Sequence, residues 1–176
     1  MGEPKQAEPW LRDTLTEIPA VARAVLHALQ LAREDLHSWC GKLSDAEVNA
    51  RPHEIASVAF HLRHLVGSTD RLLTYAEGRT LNAQQLAAMA HESEPGAVNA
   101  DLFAELDEAC EEFARRIRAL AAQNLEDRRT VGNKKLPSTV GGLLVHVADH
   151  AQRHVGQAIT TSKIVIAQRC APGQRR

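Results

Sequence analysis

Three histidines stand at i, i+4 and i+8 in the run His146-Val-Ala-Asp-His150-Ala-Gln-Arg-His154-Val-Gly-Gln157. On a helix that spacing makes one stripe, drifting by roughly 40° per step. Leu143, Val147, Ala151 and Ala158 lie beside it, so the stripe borders a buried face. The apolar sector is nearest His154, next His150 and farthest from His146. Two imidazoles at i, i+4 can close on one metal ion. A single histidine there would read as a polar residue at the rim of a core; a stripe of three reads as a site. Two imidazoles rarely hold a metal alone, and a second segment offers His61 and His64, three apart and therefore neighbours on a helix surface. Judged by apolar sector, His61 points more squarely at the core, and the residues alone leave the choice open. His27, His37, His53 and His91 are scattered and read as surface or rim positions.

Three neutral imidazoles would leave a divalent ion its full charge and an open coordination position. Zn, Ni or Fe(II) would each suit such a set. Water bound there would have its pKa lowered toward about 7, giving hydroxide for hydrolysis; a bound thiol would be lowered further, giving a thiolate nucleophile. Competing motifs fail on spacing. His53-Glu54 and His91-Glu92 lack the second histidine of a zincin, and only Glu34-Asp-Leu-His37 fits a di-iron carboxylate repeat. Gly141-Gly142 has neither a preceding strand nor a lysine in Walker spacing, so it reads as a helix opening. Glu105, Glu108, Glu111 and Glu112 read as a solvated face.

The rest of the chain has to position these side chains. Its 176 residues read as one domain, 10–168, between a lead-in at 1–9 and a polar tail at 169–176. Net charge is −1 and aromatics make up only 3%, which argues against a nucleic-acid or anionic-lipid partner. No apolar run is long enough for a membrane span, no signal-peptide core is visible, and Cys40, Cys110 and Cys170 form no CxxC pair; a cytoplasmic protein is expected.

Apolar spacing predicts four long helices. The first runs from Trp10 or Pro19 to about Cys40, with Gly41 as its stop. A capping box, Ser44-Asp-Ala-Glu47, follows. Helix two spans about Ile55 to Ala76, with Val58, Leu62, Leu65, Thr69, Leu72 and Ala76 inward and Gly78 at its end. A connection over Arg79–Ala100 holds a short helix, Asn82–His91. Helix three spans about Ala100 to Asn124, Leu125–Thr139 reads as a charged loop, and helix four, Val140–Ile166, carries the stripe. The expected fold is an all-α four-helix bundle. Its connection between helices two and three is long enough to run the bundle's length, which permits an up-down-down-up order.

Ser57-Val-Ala-Phe-His-Leu-Arg-His64-Leu-Val resembles the helix-two motif of the DinB-like superfamily, a small hydroxyl residue seven positions before a histidine that precedes an aliphatic pair. His150-Ala-Gln-Arg-His154-Val-Gly-Gln157 resembles its helix-four motif, and the likeness extends from Trp10 to about Ile166. The resemblance implies an up-down-down-up bundle, often homodimeric, with a divalent metal held by His64, His150 and His154. His61 then replaces a commonly apolar residue and lines the pocket, and contacts to a cofactor are expected from His61, His146, Arg153 and Gln157. Val155 stands where many members have arginine, and Arg153 precedes the second histidine instead. Relatives of known activity include enzymes that use low-molecular-weight thiols. The leading expectation is therefore metal-dependent transfer of such a thiol to an electrophilic small molecule. A hydrolase with the same ligands and a non-catalytic metal or small-molecule binder are the alternatives. A buried acid or base beside the metal, with Asp149 and Asp70 as candidates, would favour the hydrolase; a basic rim from Arg63, Arg71 and Arg153 would favour an anionic thiol.

Overall fold

Local stops and caps set where α1 and α3 and the two short helices begin. Pro19, with its fixed φ, precedes α1 (Ala20–Cys40). Ser44 and Glu47 form the expected capping box at α2 (Asp45–Val48). Ser57 caps α3 (Val58–Ala76), its Oγ accepting from the Phe60 amide at 3.1 Å, and Gly78, at φ +78°, supplies the left-handed residue just beyond its end. Asn82 and Gln85 form a second capping box at α4 (Ala83–His91). The two remaining helices are α5 (Asn99–Leu120) and α6 (Val140–Cys170). The computed structural model describes residues 6–170; the parts of the expected lead-in at 1–5 and of the tail at 171–176 lie outside the described residues.

The described residues are mostly helical: the four expected long helices are α1, α3, α5 and α6, and two short ones, α2 and α4, lie between them. One expectation needs correcting. They are not all-α, because the segment read as a charged loop pairs with itself. Strands β1 (Arg128–Val131) and β2 (Leu136–Thr139) form an antiparallel hairpin, closed by a turn with Gly132 at φ +68°. Pro137 argues against a central strand, yet in a two-stranded hairpin every strand is an edge and a missing amide is tolerated. The hairpin also closes off a helix end. The Arg129 Nε donates to the Ala76 carbonyl at 2.7 Å, satisfying a group left open at the end of α3. Boundaries also move. Of the two expected starts for the first helix the structure takes the later, with Pro19 just before Ala20 and only a short 3-10 turn at Pro9–Leu11; α3 starts three residues later than expected, after its Ser57 cap; and α5 ends at Leu120.

Helix α6 packs on α1 and α3, and α5 packs on the same two helices from the other side. Leu36, Leu62, Leu65, Leu106, Ile117 and Leu144 are among the fully buried side chains between them. On α3 the inward position near its end is Leu73 rather than Leu72, which is only partly covered. Polar pairs fix how the helices lie. Along α1 and α6, Gln152 donates to the Ala28 carbonyl and Ser162 to the Trp39 carbonyl, each at 2.8 Å. Between α6 and the start of α3, Thr161 donates to the Ala56 carbonyl at 3.2 Å. Between α1 and α5, Arg33 meets Asp107 at 2.7 Å. Cys40 and Cys110 are free thiols. No helix of the described residues is long and apolar enough to cross a membrane.

Candidate metal centre

Helices α3 and α6 cross where their histidines meet. The Nε2 atoms of His64 and His150 are 3.0 Å apart. The His154 ring lies 4.4 Å from that of His64 and 4.6 Å from that of His150, centroid to centroid. One ligand nitrogen from each of the three falls within 4.8 Å of the others. Imidazole nitrogens on a tetrahedral ion, each about 2.0–2.1 Å from it, stand about 3.3 Å apart. The donor set therefore fits a divalent ion after small side-chain adjustments. A second observation agrees: Nδ1 of His150 is buried and has no hydrogen-bond partner, so this ring is not fully satisfied by protein groups.

Electrostatics favour the metal-binding form of the two rings on α6. Burial, followed by the charges of His64, His150, His61 and Arg153, pushes His154 down to about 4. His150 is lowered by burial first and then by His64, His146 and Arg153. Both rings are therefore neutral at pH 7, with lone pairs available to an ion.

His61 joins the cluster from behind. It is buried, its Nδ1 lies 3.1 Å from Nδ1 of His154, and burial followed by the charge of His64 pushes it down to about 4. Phe60 walls the group, its ring stacked on His64 at 5.4 Å and edge-on to His61 at 5.3 Å. Along α6, His146 is the outermost of the stripe, as expected: it is exposed, its ring 5.3 Å from His150, whereas His150 and His154 are half-buried. Arg153 is exposed and reaches Asp149 at 3.2 Å, and Gln157 is exposed on the turn after His154.

The acid and base candidates fall elsewhere. Asp149 is exposed between His146 and Arg153, and Asp70 is bound by Arg116 at 2.5 Å beside a different cavity. Arg71 is not at the rim as expected; it is buried and pairs with Glu92 at 2.8 Å. In the sequence Glu92 figures only as half of a failed zincin motif, His91-Glu92, with no role at the site. It caps the end of α4, is buried, and places Oε2 2.6 Å from Nδ1 of His64. Burial alone would raise its pKa, but the hydrogen bonds and charges of His64 and Arg71 outweigh burial and hold it below the usual glutamate value. The only sequence signal was an acidic residue in the long connection, a weak one among so many.

A cavity of about 1020 Å³ lies on the far side of Glu92, between α3, α4 and α5, lined by Arg63, Asp70, Glu77, Glu105, Glu108 and Arg116 among others. The three histidines do not line it.

A family model described as the DinB superfamily matches residues 28–158. That span contains all three histidines and most of the four long helices. A comparison with curated proteins finds no match.

Proposed function

The chain belongs to the DinB superfamily, and on that footing we propose that it is a metal-dependent enzyme transferring a low-molecular-weight thiol to an electrophilic small molecule. His64, His150 and His154 would hold the ion. The observation that carries the reading is the meeting of three imidazoles from two helices, with their ligand nitrogens within 4.8 Å of one another. A divalent ion held by these neutral ligands would keep its charge uncancelled and would lower the pKa of a thiol bound to it.

The chain's own residues would do the rest. Phe60 and the buried His61 keep water from the inner side of the cluster. Arg153 and His146, at the exposed edge, would meet the polar groups of the thiol, with Gln157 one turn beyond. The thiol proton leaves to solvent, the sulfur forms a bond to the acceptor carbon, and the acceptor's leaving group departs with the electron pair. The same reading carries a homodimer and a small-molecule acceptor, with no nucleic-acid or membrane partner. It also carries an up-down-down-up order of α1, α3, α5 and α6. The parallel pairing of Gln152 with Ala28 and Ser162 with Trp39, and the antiparallel pairing of His61 with His154 and His64 with His150, support that order. The hydrolase reading has less support, because Asp149 and Asp70 are both tied to arginines and Glu92 sits behind the His64 ring, on the nitrogen facing away from His150.

The test is cobalt substitution. A sulfur-to-cobalt charge-transfer band should appear when the cell's own low-molecular-weight thiol is added, and should be missing in His64→Ala. A spectrum indifferent to every thiol, together with turnover of an ester or amide panel, would put the hydrolase first.

A further inference from the structure

We infer that Glu92 is a positioning residue for the metal centre: it fixes the His64 ring so that Nε2 is presented to the ion, and Gly67 keeps the space in which it does so. This rests on the three-histidine reading and concerns a residue outside that ligand set. The carboxylate of Glu92 accepts a hydrogen bond from Nδ1–H of His64 at 2.6 Å and pairs through its other oxygen with Arg71 at 2.8 Å. A carboxylate paired with an arginine can only accept, so Nδ1 of His64 must carry the proton. In the neutral ring that leaves the lone pair on Nε2, the atom 3.0 Å from Nε2 of His150. Carboxylates behind ligating histidines act in this way at many metal sites, setting tautomer and ring orientation and raising ligand basicity.

The glycine is the independent observation. Gly67 lies inside α3, where glycine is a poor choice by propensity. A Cβ at that position would meet both the Arg71 Nη1 and the Glu92 Oε1 at 2.9 Å. The ion pair therefore lies flat against the helix, one turn from His64, in a space that only glycine leaves open. The atoms in the way are the ends of flexible side chains, so alanine would displace the pair rather than unfold the helix.

Zinc affinity, measured by competition with a chromophoric chelator on the full chain, tests this. Glu92→Ala should bind zinc about 10–100-fold more weakly than the parent protein. Gly67→Ala should also weaken binding while melting no lower than the parent, and Glu94→Gln, an exposed neighbour, should change nothing. Long-range 1H–15N spectra of the metal-free protein give a readout that a merely structural role would not move: His64 should show the Nδ1–H tautomer in the parent and lose that preference in Glu92→Ala. Equal zinc affinity in the parent and Glu92→Ala overturns the role of Glu92 while leaving the metal centre standing. If Glu92→Ala does not fold, undiminished affinity in Gly67→Ala does the same. A parent protein that binds no zinc, nickel or iron removes the metal centre and this inference with it.

Discussion

His61 and His64 sit three residues apart on α3, and both touch a histidine of α6, yet their surroundings assign them different work. His64 faces His150 through one nitrogen and Glu92 through the other, an arrangement suited to a ligand. His61 is nearly enclosed and meets only His154 among the four. His64→Ala should therefore lose metal while His61→Ala retains it, as metal content after desalting would show; the reverse outcome would make His61 the ligand. The pair His150 and His154 was legible because i, i+4 spacing is a local property of one helix. The choice between His61 and His64 was not, since the apolar sector favours the residue that is more buried, and burial is not ligation. Glu92 was beyond reach for another reason. Its partner lies 28 positions earlier in the chain, and only the return of α4 along α3 brings them together.

At the scale of elements, the hydroxyl that opens the helix-two motif now has a physical role. Ser57 caps α3 through the Phe60 amide, fixing where the helix starts and so the register that points His61 and His64 at α6. Ser57→Ala should cost about 1 kcal/mol of stability in denaturant unfolding, and Ser57→Asp should restore most of it. Equal stability of parent and alanine variant would show that packing alone sets the start. Periodicity located all four long helices, and a capping box marked α2, because both signals are local. The hairpin escaped because its strands are short, the first opens on Arg128 and Arg129, the turn holds Lys134 and Lys135, and Pro137 interrupts the second. What stabilises it is the fit of Arg129 onto the end of α3, a contact no local pattern encodes.

At the scale of the molecule, α3 and α5 are tied by a charge cluster around the buried Arg116 as well as by the core. Arg116 is held by Asp70 at 2.5 Å and Glu77 at 2.6 Å, and Arg79 also pairs with Glu77. Burial would raise the Glu77 pKa, but the hydrogen bonds and charges of the two arginines outweigh it and leave the value lowered. A depressed carboxylate pKa contributes stability that is present above the unfolded value, about 4.3, and is lost as pH falls through the folded one. The melting temperature should thus decline on acidification below about pH 4, and less steeply in Glu77→Gln. Identical slopes would remove Glu77 from the account. The fold brings α3 and α6 together at the histidines, and elemental analysis of the purified chain tests the proposed metal centre there most directly. The parent should hold about one divalent ion per chain, as one three-histidine site requires, and the His150→Ala/His154→Ala double variant should hold none. A metal-free parent after expression in metal-replete medium, or a double variant that keeps its stoichiometric ion, would contradict the account.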